Sequence, residues 1–390
     1  MRDGVVSVVG GRIASVGKKQ AGARPRDLGN VAILPGLINA HTHLEFSSLE
    51  RPLGVPGMRF ADWIGAVVDQ RRGLLAELAA DLAVRRTAAV QRGLRESADF
   101  GVAAMGEIAT PDWPETAYSS AATDLHTTLF LELLGLGSER VEPLTALARD
   151  YLRRRTNGNQ LVAGLSPHAP YTVHPNLLSV ACQASRASGA PLAMHLAESP
   201  EEIELLWSHS GPLVELLESL GAWHPGVLPR GLTPRYYLEA LTQAERALII
   251  HGNYLTRDEM GFLAERRKTM SVVVCPRTHA FFRHSQNPLP ALLAAGVRVA
   301  VGTDSRASNP DLNLWAELRH LAQTQPTIAP EEILAMGTLR GAEALGIDDQ
   351  FGSLQQGKSA ALAVVPLPES DGDPHQLLLA AGAEATTFVG

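Results

Sequence analysis

Residues 39–46 read NAHTHLEF, and place His41 and His43 one residue apart behind the apolar run VAILPGLI. An HxH pair by itself fits two imidazoles on a surface turn as well as half of a metal site. Four more residues of metal-ligand type close later apolar runs: His168 in SPHAPY, His195 in MHLAES, His251 in HGNYL and Asp304 in VGTDS. Two histidines from one strand, His195 and Asp304 would make a ligand set that keeps a position open for water, as catalytic zinc does. Water bound there has its pKa lowered to about 7 and is hydroxide at neutral pH, the working part of a hydrolase. Glu198 follows His195 by three residues and could hand the water's proton to a substrate as general acid. The stretch Ser199-Pro200-Glu201-Glu202 also reads as a helix start, where acids are favoured, so a first-turn carboxylate is the other reading of Glu198. The only cysteines, Cys182 and Cys275, are far apart and in no CxxC pattern. This excludes a disulfide framework and a cysteine zinc ribbon, so a metal must be held by His and carboxylates. That donor set suits zinc, iron or manganese.

The elements that must position these groups are also legible. Eight short apolar runs (32–40, 100–108, 127–135, 161–167, 190–197, 247–252, 270–276 and 297–304) alternate with segments of helical periodicity, several opening on Pro and closing on Gly. Continuous apolar runs of this length suit buried parallel strands. Eight strand–helix units predict an α/β fold, a closed (β/α)8 TIM barrel, with a doubly wound open sheet as the rival. In a barrel the reactive groups lie at the C-terminal strand ends. His41 and His43, at i and i+2, then share a face toward the barrel mouth. Residues 3–18 read as two short strands about a Gly-Gly turn, and 351–366 also read as strands. Both ends together predict a small composite β-sandwich, residues 1–33 and 350–390, beside a barrel spanning 34–349.

Of the 390 residues, 45% are apolar and 19% charged, with a formal net charge of −7. Nothing here favours nucleic acid. The densest basic run, RRR at 153–155, reads as a solvated helix end. No signal peptide or membrane-crossing run is visible, and a reducing cytoplasm is the default.

In order, PGLINAHTH, SPHAPYTV, MHLAES, HGNYL, VVVCPRTH and VGTDSRASNPDLNLWAELR resemble the amidohydrolase superfamily across the whole barrel. GRIASVG and GSLQQGK are similar to the small sandwich that members build from both chain ends. Within the superfamily the chain resembles the cytosine/adenosine-deaminase-like branch. The resemblance implies His41, His43, His195 and Asp304 as ligands of one divalent metal. It further implies Glu198, His251 and Asp304 as catalytic, and His168 lining the substrate site. Two-metal members use a carboxylated Lys on strand 4; the only lysines are Lys18, Lys19, Lys268 and Lys358, and none ends a predicted barrel strand. The implied reaction is hydrolytic deamination: metal-bound hydroxide attacks the amino-bearing carbon of an aminopurine nucleoside and ammonia leaves.

HLEFS and FADWIGAVVDQRR are also similar to aminodeoxyfutalosine deaminases of menaquinone biosynthesis. On that resemblance Glu45 could face the substrate, Trp63 could stack on a purine, close the pocket or pack in the core, and Arg72, Arg277 or Arg283 could meet a substrate carboxylate. Three departures stand out: a short N-terminal region that leaves the first sandwich strands open, Ala361 where Asp is common, and His279 where Asn is expected. The alternatives are a chlorohydrolase or cyclic amidohydrolase of the same fold, or a non-enzymatic binding protein on a retired barrel. The last would be marked by loss of a ligand or of Glu198, and none is lost. The implied partner is a small-molecule substrate; a homodimer is left open.

Overall fold

A computed structural model describes residues 1–19, 24–75, 79–118, 125–154, 161–285, 287–380 and 386–389. The strands are β1 (Gly4–Val9), β2 (Arg12–Lys18), β3 (Val31–Pro35), β4 (Leu37–Thr42), β5 (Val102–Ala109), β6 (His126–Leu133), β7 (Leu161–Pro167), β8 (Leu192–Leu196), β9 (Ala247–His251), β10 (Met270–Val274), β11 (Val299–Val301), β12 (Ala361–Pro366) and β13 (Thr386–Val389). β4 to β11 form one eight-stranded sheet in strict sequence order, every pair parallel. A parallel bridge between Thr42 and Asp304 joins its first strand to the segment after its last, closing the (β/α)8 barrel.

Almost every barrel-strand residue is buried, which is why these strands read as unbroken apolar runs. Ile38, Ala40, Ala104, Phe130, Ala193, Leu248, Ile250, Val273 and Ala300 pack together from the strands of the sheet and fill the interior. The surrounding helices show the expected punctuation. In Pro175–Ser188, His174 caps the start and accepts from the Asn176 N–H, Pro175 opens the first turn, and Gly189 closes it in the left-handed region at φ 74°. The helix Val141–Arg154 ends in Arg153 and Arg154, both paired with Asp150, as a solvated end should be; Arg155 lies outside the described residues.

The termini refine the sequence reading. β1 and β2 form the expected antiparallel hairpin, with Gly10 and Gly11 both at positive φ in its turn. The run 32–40 is two strands, not one. β3 pairs antiparallel with β12 in a separate sheet, and β4 enters the barrel. Gly36 is the joint: it donates to the Ala361 carbonyl at 2.9 Å, and a Cβ there would lie 2.4 Å from Ala103 Cβ. Only 361–366 of the stretch 351–366 is strand, and β13 completes that sheet. The hairpin and this sheet meet across Ile13, Ala360 and Leu362, with Val6, Val8, Ile33 and Leu354 at the margin. Among the described residues no helix is long and apolar enough to cross a membrane.

Candidate metal and active site

His41 stands near the end of β4, and its path into the mouth is not a simple alternation. Ile38 and Ala40 face the barrel interior. Between Asn39 and Thr42 the pairing with β5 slips by one residue, from Asn39↔Met105 to Thr42↔Glu107. This bulge re-aims the strand, so that His41 also points inward. Its ring centroid lies 4.8 Å from that of His43, 5.0 Å from His195 and 5.8 Å from His251. His43 Nε2 is 3.3 Å from His195 Nε2, and Asp304 Oδ1 is 3.6 Å from His41 Nε2 and 3.9 Å from His43 Nε2.

These residues fit a metal. Ligand atoms of His41, His43 and His195 all lie within 4.8 Å of one another, and the three side chains are buried. Two donors on a tetrahedral zinc with bonds of 2.0–2.1 Å stand about 3.4 Å apart. The observed separations bracket that value. His41 leaves both ring nitrogens, and His43 its Nδ1, without a hydrogen-bond partner. His195 Nδ1 donates to the His168 carbonyl at 3.1 Å, which directs its Nε2 into the cluster. Burial, reinforced by neighbouring imidazoles, holds His43 and His195 well below the usual histidine range, in the neutral form that binds metal. Burial alone would raise Asp304. The closeness of His41, 3.6 Å away, and then of His251 and His43 more than offsets this and keeps the carboxyl below its ordinary range.

Glu198 lies just before the helix Pro200–Ser208, with its side-chain Oε1 3.3 Å from His251 Nε2. The first-turn acids are Glu201 and Glu202 instead. Burial pushes Glu198 well up, with Asp304, Glu202 and Glu201 adding to the rise, the direction that favours a proton donor. Burial likewise lowers His251. Glu202 accepts the N–H groups of Ala197 (2.8 Å) and Glu198 (2.9 Å), and Asn253 donates to the Glu198 carbonyl at 3.0 Å. Ala197, His251 and Asp304 all adopt positive φ (55°, 70° and 56°), unusual for non-glycine residues and concentrated at the strand ends that carry the chemistry.

The substrate-side candidates divide. His168 Nδ1 meets Thr172 Oγ1 at 2.7 Å, and burial, then Arg71, lowers its pKa to about 3. Glu45 is buried and held by Arg71 at 2.5 Å. Trp63 donates to the Ala307 carbonyl at 3.0 Å and packs among Phe60 and Phe282. Arg277 turns to Asp311 (2.8 Å) and Glu317 (3.6 Å), so carboxylates of the chain itself engage its guanidinium. Arg72 and Arg283 are exposed. His279 lines a small cavity with Asn253 and Cys275, its ring 5.2 Å from that of His284.

Several residues in this region have no forerunner in the sequence reading. Arg71 bridges Glu45 and Glu132. Glu107 accepts the Leu44 N–H, at 3.1 and 3.0 Å from its two oxygens, and the Tyr118 hydroxyl at 3.1 Å, bracing the turn behind His43. Ser308 donates to Asp304 Oδ2 at 2.8 Å, leaving Oδ1 toward the histidines.

A closed parallel barrel whose mouth gathers HxH, a strand-end His and a strand-end Asp is the architecture of a hydrolase with a site that could hold a metal. Residues 32–389 match the Amidohydrolase family, and the chain belongs to it. It is thereby a hydrolase of carbon–nitrogen bonds other than peptide bonds. It is 31% identical over 361 residues to the aminodeoxyfutalosine deaminase of Deinococcus radiodurans, covering 88% of this chain and 81% of that one. In fold it is similar to Helicobacter pylori aminofutalosine deaminase in complex with methylthio-coformycin (TM-score 0.81, 23% identity, 100% of this chain and 94% of that). It is equally similar in fold to the zinc-complexed atrazine chlorohydrolase of Arthrobacter aurescens TC1 (TM-score 0.81, 20% identity, 100% and 90%).

Proposed function

We propose that this chain is a metal-dependent deaminase of an aminopurine nucleoside, with 6-amino-6-deoxyfutalosine of menaquinone biosynthesis as the specific candidate. The observation that carries this reading is the buried Glu198 against His251, beside three converging imidazoles and Asp304. His41, His43, His195 and Asp304 would hold the metal, zinc in the first instance, with iron or manganese compatible with the same donors. When bound, the metal lowers the pKa of water to about 7. His251 and Asp304 orient the attacking water and take up its proton. Glu198 donates its proton to the ring nitrogen next to the amino-bearing carbon, then assists ammonia in leaving. Glu45, Trp63, His168 and Arg277 are proposed to act on the substrate side, directly or through what they hold. The proposed domain division is 34–349 as the barrel and 1–33 with 350–390 as the terminal unit, with β3 carrying the terminal sheet on to Pro35. Cys182 and Cys275 are buried and unpaired, in keeping with a cytoplasmic location.

The test is ammonia release from a panel of adenine nucleosides by protein loaded with zinc, with Glu198→Gln run beside it. Activity on at least one nucleoside, lost in the variant while the metal stays bound, is the expected result. Full ammonia release by the variant removes the role of Glu198. Chloride release or ring opening in place of deamination moves the chain to the other hydrolases of this fold.

A further inference from the structure

Glu132 lies on the same face of β6 as Phe130, which fills the barrel interior, and is one step nearer the mouth. It is 3% exposed. Its Oε2 is 3.6 Å from Arg71, but its Oε1 is buried without a hydrogen-bond partner. In the next strand its register partner is Ser166, whose Oγ is also buried without a partner. Arg71 is near enough to the mouth to depress both His43 and His168. One cation therefore stands between two carboxylates, Glu45 and Glu132, with an acceptor oxygen left over. An unsatisfied buried carboxylate oxygen costs free energy that a donor from a ligand would recover.

We propose that Glu132, steadied by Arg71, is a specificity-determining residue that accepts a hydrogen bond from a secondary hydroxyl of the substrate's pentose. The inference rests on the aminopurine-nucleoside reading and takes it one step further. The amino-bearing edge of the ring must lie at the histidine cluster and Glu198. The remaining ring nitrogens of a 9-substituted adenine, N1, N3 and N7, are all acceptors, and its only N–H donors are those of the amino group at the metal. No part of the base can satisfy Glu132 Oε1; a sugar hydroxyl can. A hydrogen bond to a charged acceptor is strong enough for roughly 10–100-fold discrimination.

The experiment compares zinc-loaded wild type, Glu132→Leu and Glu132→Gln on adenosine, 2′-deoxyadenosine and 3′-deoxyadenosine, reading ammonia. In parallel, inosine and its two deoxy analogues are titrated calorimetrically as non-reacting ligands. In wild type, one deoxy analogue should lose roughly 10–100-fold in kcat/KM, and the corresponding inosine analogue should lose affinity in proportion. Glu132→Leu should erase the difference; Glu132→Gln, which keeps an acceptor, should restore part of it. Should the Leu variant fail to fold, the partial loss in the Gln variant carries the test. Deamination by wild type with no preference for either hydroxyl overturns the proposal and leaves the deaminase reading standing. Unchanged discrimination in both variants does the same. If wild type deaminates no adenine nucleoside, the deaminase reading falls; a Glu132-dependent preference for inosine over a deoxyinosine would then still support the hydroxyl site, and no preference overturns both.

Discussion

Thr42 and Asp304 meet at the seam of the barrel. Thr42 Oγ1 donates to the Asp304 carbonyl at 2.9 Å, and the Asp304 N–H donates to the His41 carbonyl at 3.1 Å. The contact that closes the cylinder is thus made by the backbone of two proposed metal ligands. Gly302 permits it, since a Cβ there would lie 2.7–2.9 Å from His41 atoms. Asn39 reinforces it from the same strand, bonding Thr303 through both ends of its amide at 2.8 and 3.1 Å. Barrel closure and ligand geometry are therefore one structural event.

Loss of the Thr42 hydroxyl should accordingly be felt twice. Thr42→Val removes one buried hydrogen bond, worth about 1 kcal/mol of stability. It should also loosen the Asp304 backbone, so that metal is lost more readily on dialysis. Ser308→Ala, which frees Asp304 Oδ2, should weaken metal affinity about 10–100-fold. Metal content after dialysis against graded chelator, with urea midpoints alongside, measures both. Wild-type retention in both variants would remove any link between the seam and the ligand set.

Metal itself should stabilise the fold. The cluster brings three imidazoles and a carboxylate together only in the folded chain, so binding adds RT ln(1 + [L]/Kd) to stability. Zinc at a thousand times its Kd should contribute about 4 kcal/mol, seen as a rise in Tm. His195→Ala should abolish most of that rise. An equal zinc response in the variant would place the binding elsewhere on the chain.

The parts of this site that sequence reveals, and those it hides, follow from the physics of each. Buried parallel strands carry unbroken apolar runs, so all eight barrel strands are legible, and polar residues that end them stand out. His41, His43, His195, His251 and Asp304 emerge for that reason. Arg71 is harder. Arg72, the candidate from sequence, is exposed, while Phe60, Trp63 and Val67 are buried and Arg71 continues their spacing of three and four. A cation on that apolar stripe is the signal that identifies it. Glu132, a lone charge inside TTLFLELLG, carries a similar signal. The slip between Asn39 and Thr42 has no such mark, because register belongs to the pairing of two strands. The split of 32–40 into two sheets hides behind continuous apolarity, with Pro35-Gly36 the only hint.

The pH dependence of stability should contain a contribution from Glu202. Its side chain braces Ala197 and Glu198, and burial, against the pull of those two N–H bonds, raises its pKa to about 7 from 4.5. A raised pKa means that the folded state holds the proton longer than the unfolded one. The contribution is fully present below pH 4.5 and is lost as pH rises to about 7. It amounts to about 3 kcal/mol. Glu202→Gln removes the titration, so its stability relative to wild type should rise across this window. Urea unfolding of both proteins at intervals from pH 4.5 to 8 reads the difference directly; parallel curves would remove Glu202 from the account.

His168 should act on the substrate as a neutral acceptor. With its hydroxyl hydrogen directed to the Ala169 carbonyl at 3.2 Å, Thr172 Oγ1 accepts from His168 Nδ1 at 2.7 Å. This fixes the proton on Nδ1 and leaves Nε2 as a lone pair. With a pKa of about 3, the ring stays uncharged throughout the working range. A neutral hydrogen bond lost in both ground and transition state raises KM and spares kcat. His168→Ala should therefore raise KM roughly 3–10-fold with kcat little changed. Thr172→Val, which frees the ring to exchange tautomers, should give a smaller rise in the same direction. The group should contribute no inflection to the pH profile of kcat/KM between pH 5 and 8. An inflection near 6.5 that disappears in His168→Ala would show that the imidazole titrates in place, and the assignment of a fixed neutral acceptor would fail.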